Sequence, residues 1–213
     1  MKNIVLVLVL MFSLNGIAKV KNSFNEKNSV MVTDVQITNE TAVDVLALVK
    51  AKKHLRVDSS FTDEDDLIQD YIDAAVINAE NYIGGHIQPK IMVFKMDQFD
   101  NPLTFEAFPL KEVVSVKYYE NGNDTQLTMD SGDYQLTKLN SKVFSIHFKG
   151  DLPSIQERFD AVEVSVKVGM VTIEKPIVQA VQLMVSDMYE RREDRIEVIS
   201  SQSMSLLRPY KKF

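Results

Sequence analysis

Cysteine is absent from the 213 residues, which excludes disulfides, thiolate nucleophiles and cysteine-based zinc sites. The compartment stays open, because a chain without cysteine folds equally well in reducing and oxidising surroundings. Glycine and proline are scarce, at 7 and 6 residues, too few for a disordered or fibrous chain. An excess of positive charge is also missing. Lys and Arg number 24 against 30 Asp and Glu, giving a net charge of −6 and a pI near 5.2. Tight binding to a nucleic-acid backbone needs clustered cations that displace counterions, so the chain as a whole does not grip DNA or RNA. What is present is ordinary for a globular protein: 45% hydrophobic and 25% charged residues. The length suits one substantial core, or one core carrying an inserted subdomain.

Long apolar runs are confined to the start. Lys2 precedes the apolar stretch Ile4–Leu14, and Gly16-Ile17-Ala18 ends in a small residue, so Met1–Ala18 reads like a secretory signal. The run is short for a membrane-spanning helix. Lys19–Val30 is polar and aperiodic, like a linker. Two readings compete: export or tethering by this segment, or a true start downstream at Met31.

Beyond Met31 the apolar period alternates between helix and strand. Leu46–Val57 gives a short helix with a modest apolar stripe at Leu46, Val49 and Leu55. Thr62 with Asp65 is the expected capping pair of the next helix, whose positive end the run Asp63–Asp66 suits. Leu67, Ile68, Tyr71, Ile72, Ala75, Val76, Ala79, Tyr82 and Ile83 form one broad apolar face, and Gly84-Gly85 stops the helix. The period then falls to two. Strands are expected at Ile91–Met96, at Val113–Tyr119 with Val114, Val116 and Tyr118 on one face, at Val143–Phe148, and at Ala161–Gly169. Asn121–Asp124 is a turn. In Val143–Phe148 the residues Phe144, Ile146 and Phe148 alternate with a wet face of Val143, Ser145 and His147. A last helix starts near Pro176, with Ile177, Val181, Met184, Val185 and Met188 as its stripe. The fold class is therefore α+β: a small helical bundle with an antiparallel β subdomain inserted between the long helix and the last. The boundaries are 1–30 for the signal-like segment and linker, 31–86 for the first helical part, 87–172 for the β subdomain, 173–195 for the last helix and 196–213 for a C-terminal arm.

Chemistry is hard to find. There is no glycine-rich phosphate loop, no zincin-spaced His-Glu pair and no serine in a nucleophile elbow. His54, His86 and His147 fall in a helix, a turn and a strand, where ordinary packing or solvation explains them. The carboxylates of Asp63–Asp66 fan out around a helix start, with no EF-hand glycine or closing glutamate, so a capping cluster is the better reading. Asp130 and Asp133 suit local turn hydrogen bonding. Arg191, Arg192 and Arg195 are neutralised by the interleaved Glu190, Glu193 and Asp194. No catalytic, cofactor or metal residues are assigned, and the chain is expected not to be an enzyme.

Three marks, in order, resemble a known family. Lys50-Ala51-Lys52-Lys53-His54-Leu55-Arg56-Val57-Asp58 leads to the acidic Asp63–Asp66 and the helix ending Ala79-Glu80-Asn81-Tyr82-Ile83-Gly84. Phe108-Pro109-Leu110 with Val113–Tyr119 and Gly122 precedes Asp133–Leu136 and Ala161–Gly169. Pro176–Val185 leads to Tyr189–Glu193 and then to Leu206-Leu207-Arg208-Pro209-Tyr210. From about Leu46 onward this resembles the head–tail connector (adaptor, head-completion) proteins of tailed bacteriophages. The first thirty residues are the departure from that family.

The resemblance implies a structural virion protein that forms a ring, usually twelve-fold, beneath the portal. Its partners would be copies of itself, the portal protein and a downstream head-closure or tail protein. DNA would pass through the channel without specific binding, and an acidic lumen suits such passage. It also implies a place at the portal vertex of the virion, after assembly in the host cytoplasm. Ring contacts need two different complementary patches, expected on the long and last helices: Leu67, Tyr71, Tyr82, Ile177, Met184, Met188 and Tyr189. Leu206, Leu207, Arg208, Pro209 and Tyr210 are the candidate arm that docks on the portal or a neighbour. The alternative, suggested by Met1–Ala18 alone, is an exported bacterial α+β binding protein with a cleaved signal.

Overall fold

The computed structural model describes residues 32–39, 43–191 and 201–211. The signal-like segment, the linker, and Arg192 and Arg195 lie outside the described residues. The described elements run β1 (Val32–Asn39), α1 (Leu48–Leu55), α2 (Asp65–Ile83), β2 (Lys90–Met96), β3 (Leu103–Glu106), β4 (Leu110–Tyr119), β5 (Gln126–Thr128), β6 (Tyr134–Lys138), β7 (Val143–Phe148), β8 (Val162–Val168), α3 (Lys175–Glu190) and α4 (Ser201–Leu207). A 3₁₀ turn, Arg208–Tyr210, follows. The fold is α+β, with antiparallel sheets set between the helices.

Two cores carry it. The helical core gathers Ile68, Ile72, Ala75, Val76, Ala79 and Ile83 of α2 with Ile177, Ala180, Val181 and Val185 of α3, and adds Val45, Leu46 and Leu207. Alanines at 75, 79 and 180 let the helix backbones approach closely, while each fully buried Ile or Val contributes roughly 1.5–3 kcal/mol of transfer free energy. Gly84 ends α2 in the left-handed conformation, φ 72°, with its N–H donating to the Glu80 carbonyl.

The second core lies between two sheets. Strands β1-β2-β8-β4-β5 form one and β3-β7-β6 the other. Val162, Val164, Val166 and Val168 of central strand β8 face Phe105, Phe144 and Ile146 across the gap, within one cluster. Phe94 packs on Phe105 with ring centroids 4.7 Å apart, and Phe105 on Phe144 at 5.4 Å.

Four local expectations are corrected by the structure. Thr62 does not cap α2 through its side chain. Glu64 occupies the N-cap with no side-chain bond, and the Thr62 carbonyl accepts from the Asp65 amide instead. Val114 leaves the core face, because a bulge between Val113 and Ser115 shifts the β4–β8 register. Val113 pairs with Val166, Val116 with Val164, and Val114 stays exposed. Ser145 is buried although it sits on the expected wet face. Its hydroxyl is 2.8 Å from the Thr104 hydroxyl across β3. Finally, the stretch 31–86 does not begin as helix, since Val32–Asn39 is an edge strand on β2.

Candidate assembly surfaces

The helical and β parts meet at one buried carboxylate. Glu80 lies in the last turn of α2, on the face shared by Val76 and Ile83, and is 8% exposed. Its Oε1 accepts from the backbone N–H groups of Ile87 at 2.8 Å and Gln88 at 3.2 Å, and its Oε2 from the Lys90 ammonium. His86 Nδ1 stands 3.7 Å away, within ion-pair reach but beyond a hydrogen bond. Burial alone would raise the Glu80 carboxyl. The His86 ring and Lys90, aided by the Gln88 amide, overcome that and hold it at about 2. One side chain thus orients the α2–β2 connection. Beside it, the His86 N–H donates to the Phe108 carbonyl, the Gly169 N–H to that of Pro109 and the Met170 N–H to that of Ile87.

A second buried charge fixes the α1–α2 corner. Lys52, 3% exposed, donates to the carbonyls of Ser59 at 3.3 Å and Phe61 at 2.5 Å and to Asp65 Oδ1 at 2.6 Å. Asp58 closes the same loop by accepting from the N–H and hydroxyl of Ser60, contacts that lower its carboxyl below the ordinary range. The lysine-rich mark read in the sequence is therefore in part a folding device. His54 is exposed, as is His147, and Asp130 accepts from the Gly132 amide within its turn. Among the described residues no group of acidic or histidine side chains could hold a metal ion, and no helix is long and apolar enough to cross a membrane.

The residues expected at subunit contacts divide. Ile177 and Met184 are 0% and 6% exposed, turned into the subunit's own helical core, which corrects their assignment to an interface. Leu67 is half-buried. Tyr71, Tyr82, Met188 and Tyr189 pack partly on the helical core and keep some surface. The Tyr189 hydroxyl donates to Glu64, linking the end of α3 to the start of α2. Lys211 Nζ lies 4.9 Å from the Tyr82 ring centroid, a cation–π contact.

In the expected arm, Leu207 is fully buried against the helices, Leu206 and Tyr210 are half-buried, and Arg208 and Pro209 are exposed. The Tyr210 hydroxyl donates to Glu174 Oε2 at 2.7 Å. This segment rests on its own subunit, so Leu207 anchors the tail to the core and only its neighbours offer surface.

The two ends of the sandwich differ in charge. At the end away from the helices lie the loops 97–102, 120–125, 129–133 and 149–161, beside the paired ends Met96, Val162, Tyr118, Tyr134 and Phe148. They carry Asp97, Asp100, Glu120, Asp124, Asp130, Asp133, Asp151, Glu157 and Asp160 against only Lys149 and Arg158. At the helix-facing end, a groove of about 650 Å³ is lined by Phe108, Pro109, Leu110, Met170, Val171 and Tyr210, with Lys111, Lys138 and Lys167 opposite Glu112 and Glu174. Sequence reading passed over both. The signal available was the crowding of carboxylates into turns at one end of each strand, legible once strand order is known.

The chain's likenesses agree with this architecture. Residues 46–147 match the family described as phage gp6-like head-tail connector protein. A chain from the neck of an empty gene transfer agent (GTA) particle, computed with C6 symmetry, is similar with a TM-score of 0.64 and 17% identity. That likeness covers 84% of this chain and 96% of the other. A chain from the virion of a native GTA particle gives 0.62 and 20%, over 83% and 95%. A chain from the neck of a native GTA particle, computed with C12 symmetry, gives 0.59 and 15%, over 84% and 96%. At these identities the likeness is one of fold. Among curated proteins none matches the chain.

Proposed function

We propose that this protein is a head–tail connector subunit: a structural, non-catalytic component that forms a ring beneath the portal, completes the head and lines the channel through which DNA leaves. The observation that carries the reading is the connector-family match across residues 46–147. Added to it is a fold shared along more than four-fifths of the chain with neck components of particles described at C6 and C12 symmetry. A ring of about twelve copies, the portal protein on one side and a head-closure or tail protein on the other are its partners. The site of action is the portal vertex of the particle, reached after assembly in the host cytoplasm.

The physical character of the chain supports that duty. A net charge of −6 disfavours lasting contact with a polyanion, so DNA slides past without being held. Leu67, Tyr71, Tyr82, Met188 and Tyr189 remain candidates for contacts made by the helices, and Arg208, Pro209 and Tyr210 for contact with the portal. Rigid joints at Glu80 and Lys52 suit a part that transmits load between two larger assemblies.

The test is co-purification of the full chain with the portal protein of the same particle, read by mass photometry. A discrete complex with several copies per portal is expected. Two species that never associate, at any salt concentration, overturn the reading.

A further inference from the structure

Phe159 is 80% exposed, yet the loop that bears it is firmly held. The Arg158 guanidinium lies 3.9 Å from the Tyr119 ring centroid and pairs with Asp160 Oδ1 at 2.6 Å. Gln156 Nε2 donates to the Asn123 carbonyl and to Asp124 Oδ1, both at 3.1 Å. Thr33 Oγ1 donates to the Phe159 carbonyl itself at 3.0 Å. An aromatic ring held out into water by a braced loop loses little conformational entropy on docking, and this is the character of an interface anchor. The loops at this end of the sandwich are acidic.

The groove at the opposite end has the complementary character. Its apolar lining includes Val171, 87% exposed, and Met170, and its three lysines, Lys111, Lys138 and Lys167, outnumber Glu112 and Glu174. Knob and groove lie beyond opposite ends of β8, whose seven residues span about 20 Å. A contact joining two different patches of the same chain is heterologous, and its repetition closes into a ring when the rotation allows.

We infer that Phe159 of one subunit seats in the Phe108–Met170–Val171–Tyr210 groove of the next copy, with the acidic loops facing the groove lysines. The inference rests on the ring reading above and specifies which surfaces build the ring. Opposite charge would set the register of docking, and burial of the ring would supply most of the attraction.

The absence of native cysteine makes the test clean. Full-length Phe159→Cys protein is mixed with a size-tagged Val171→Cys protein and the portal protein, and oxidised. The control replaces Val171→Cys with Val49→Cys, another exposed apolar position, on α1. Both cysteines replace exposed side chains, so folding is preserved, and negative-stain images of the same samples report ring formation independently. The expected result is rings together with a 159–171 adduct at least tenfold above the control pair. A Phe159→Asp chain should form rings at least tenfold less well. Rings without that adduct, or an adduct of the Phe159→Cys chain with the portal protein in its place, overturn the interface and leave the connector reading standing. No adduct, together with no rings from the unsubstituted chain mixed with the portal protein, overturns both.

Discussion

Replacing Glu80 by Gln tests whether the joint between helices and sheets is electrostatic. The carboxyl is held at about 2 against an ordinary 4.5, because His86, Lys90 and the Gln88 amide outweigh its burial. At 1.36 kcal/mol per pKa unit, the charged form contributes about 3 kcal/mol of stability at pH 7. A carboxyl depressed in the folded state contributes fully above its unfolded value. The contribution then falls with pH, to about 1.4 kcal/mol at pH 3 and about 0.4 at pH 2. Gln keeps the size and one acceptor for the Ile87 and Gln88 amides but leaves the Lys90 ammonium, 14% exposed, without its anion. Glu80→Gln should therefore cost about 3 kcal/mol at pH 7 and about half that at pH 3. Urea titrations followed by far-UV circular dichroism measure both, and other carboxylates cancel in the difference. An equal loss at the two pH values would refute the reasoning.

Two further substitutions probe the frame. Gly169→Ala should lower the melting temperature by about 4–8 °C, equivalent to about 2 kcal/mol. Its backbone sits at φ +111°, and an added Cβ would lie 2.4 Å from the Gln88 carbonyl oxygen. A thermal scan showing no change would contradict that packing. Lys52→Ala should cost about 2–3 kcal/mol, discounted for the partial exposure of Asp65. It should also open Ser59–Phe61 to limited proteolysis. Unaltered resistance there would show that the loop is held by something else.

The large periodic features of the fold were legible in the sequence, and the exceptions have local causes. The α2 helix and its Gly84 stop follow from a long three- and four-residue period, which no other element imitates. Strand β1 escapes the pattern because the register slips between Val32 and Asp34, so its inward valines fall at 32 and 35, a three-residue spacing that breaks the strand period of two. The bulge at Val113 and Ser115 hid which valine of β4 faces inward. Nothing along the chain marks Glu80 and Lys52 as buried, because charge ordinarily marks the wet face. Glu80 could have been suspected, since it stands four residues after Val76 and three before Ile83. The helical contact surfaces were only half legible: the same stripe supplies the subunit's core and any contact beyond it, and Ile177 and Met184 went to the core. The charge difference between the two ends of the sandwich depends on strand order and cannot be read along the chain.

The central claim is that this chain assembles on a portal, and negative-stain microscopy of the full chain mixed with the portal protein of the same particle tests that most directly. The account predicts a collar of added density on one face of the portal, built of about twelve copies. Bare portals beside unassociated subunits, under conditions where both proteins are folded, would contradict it.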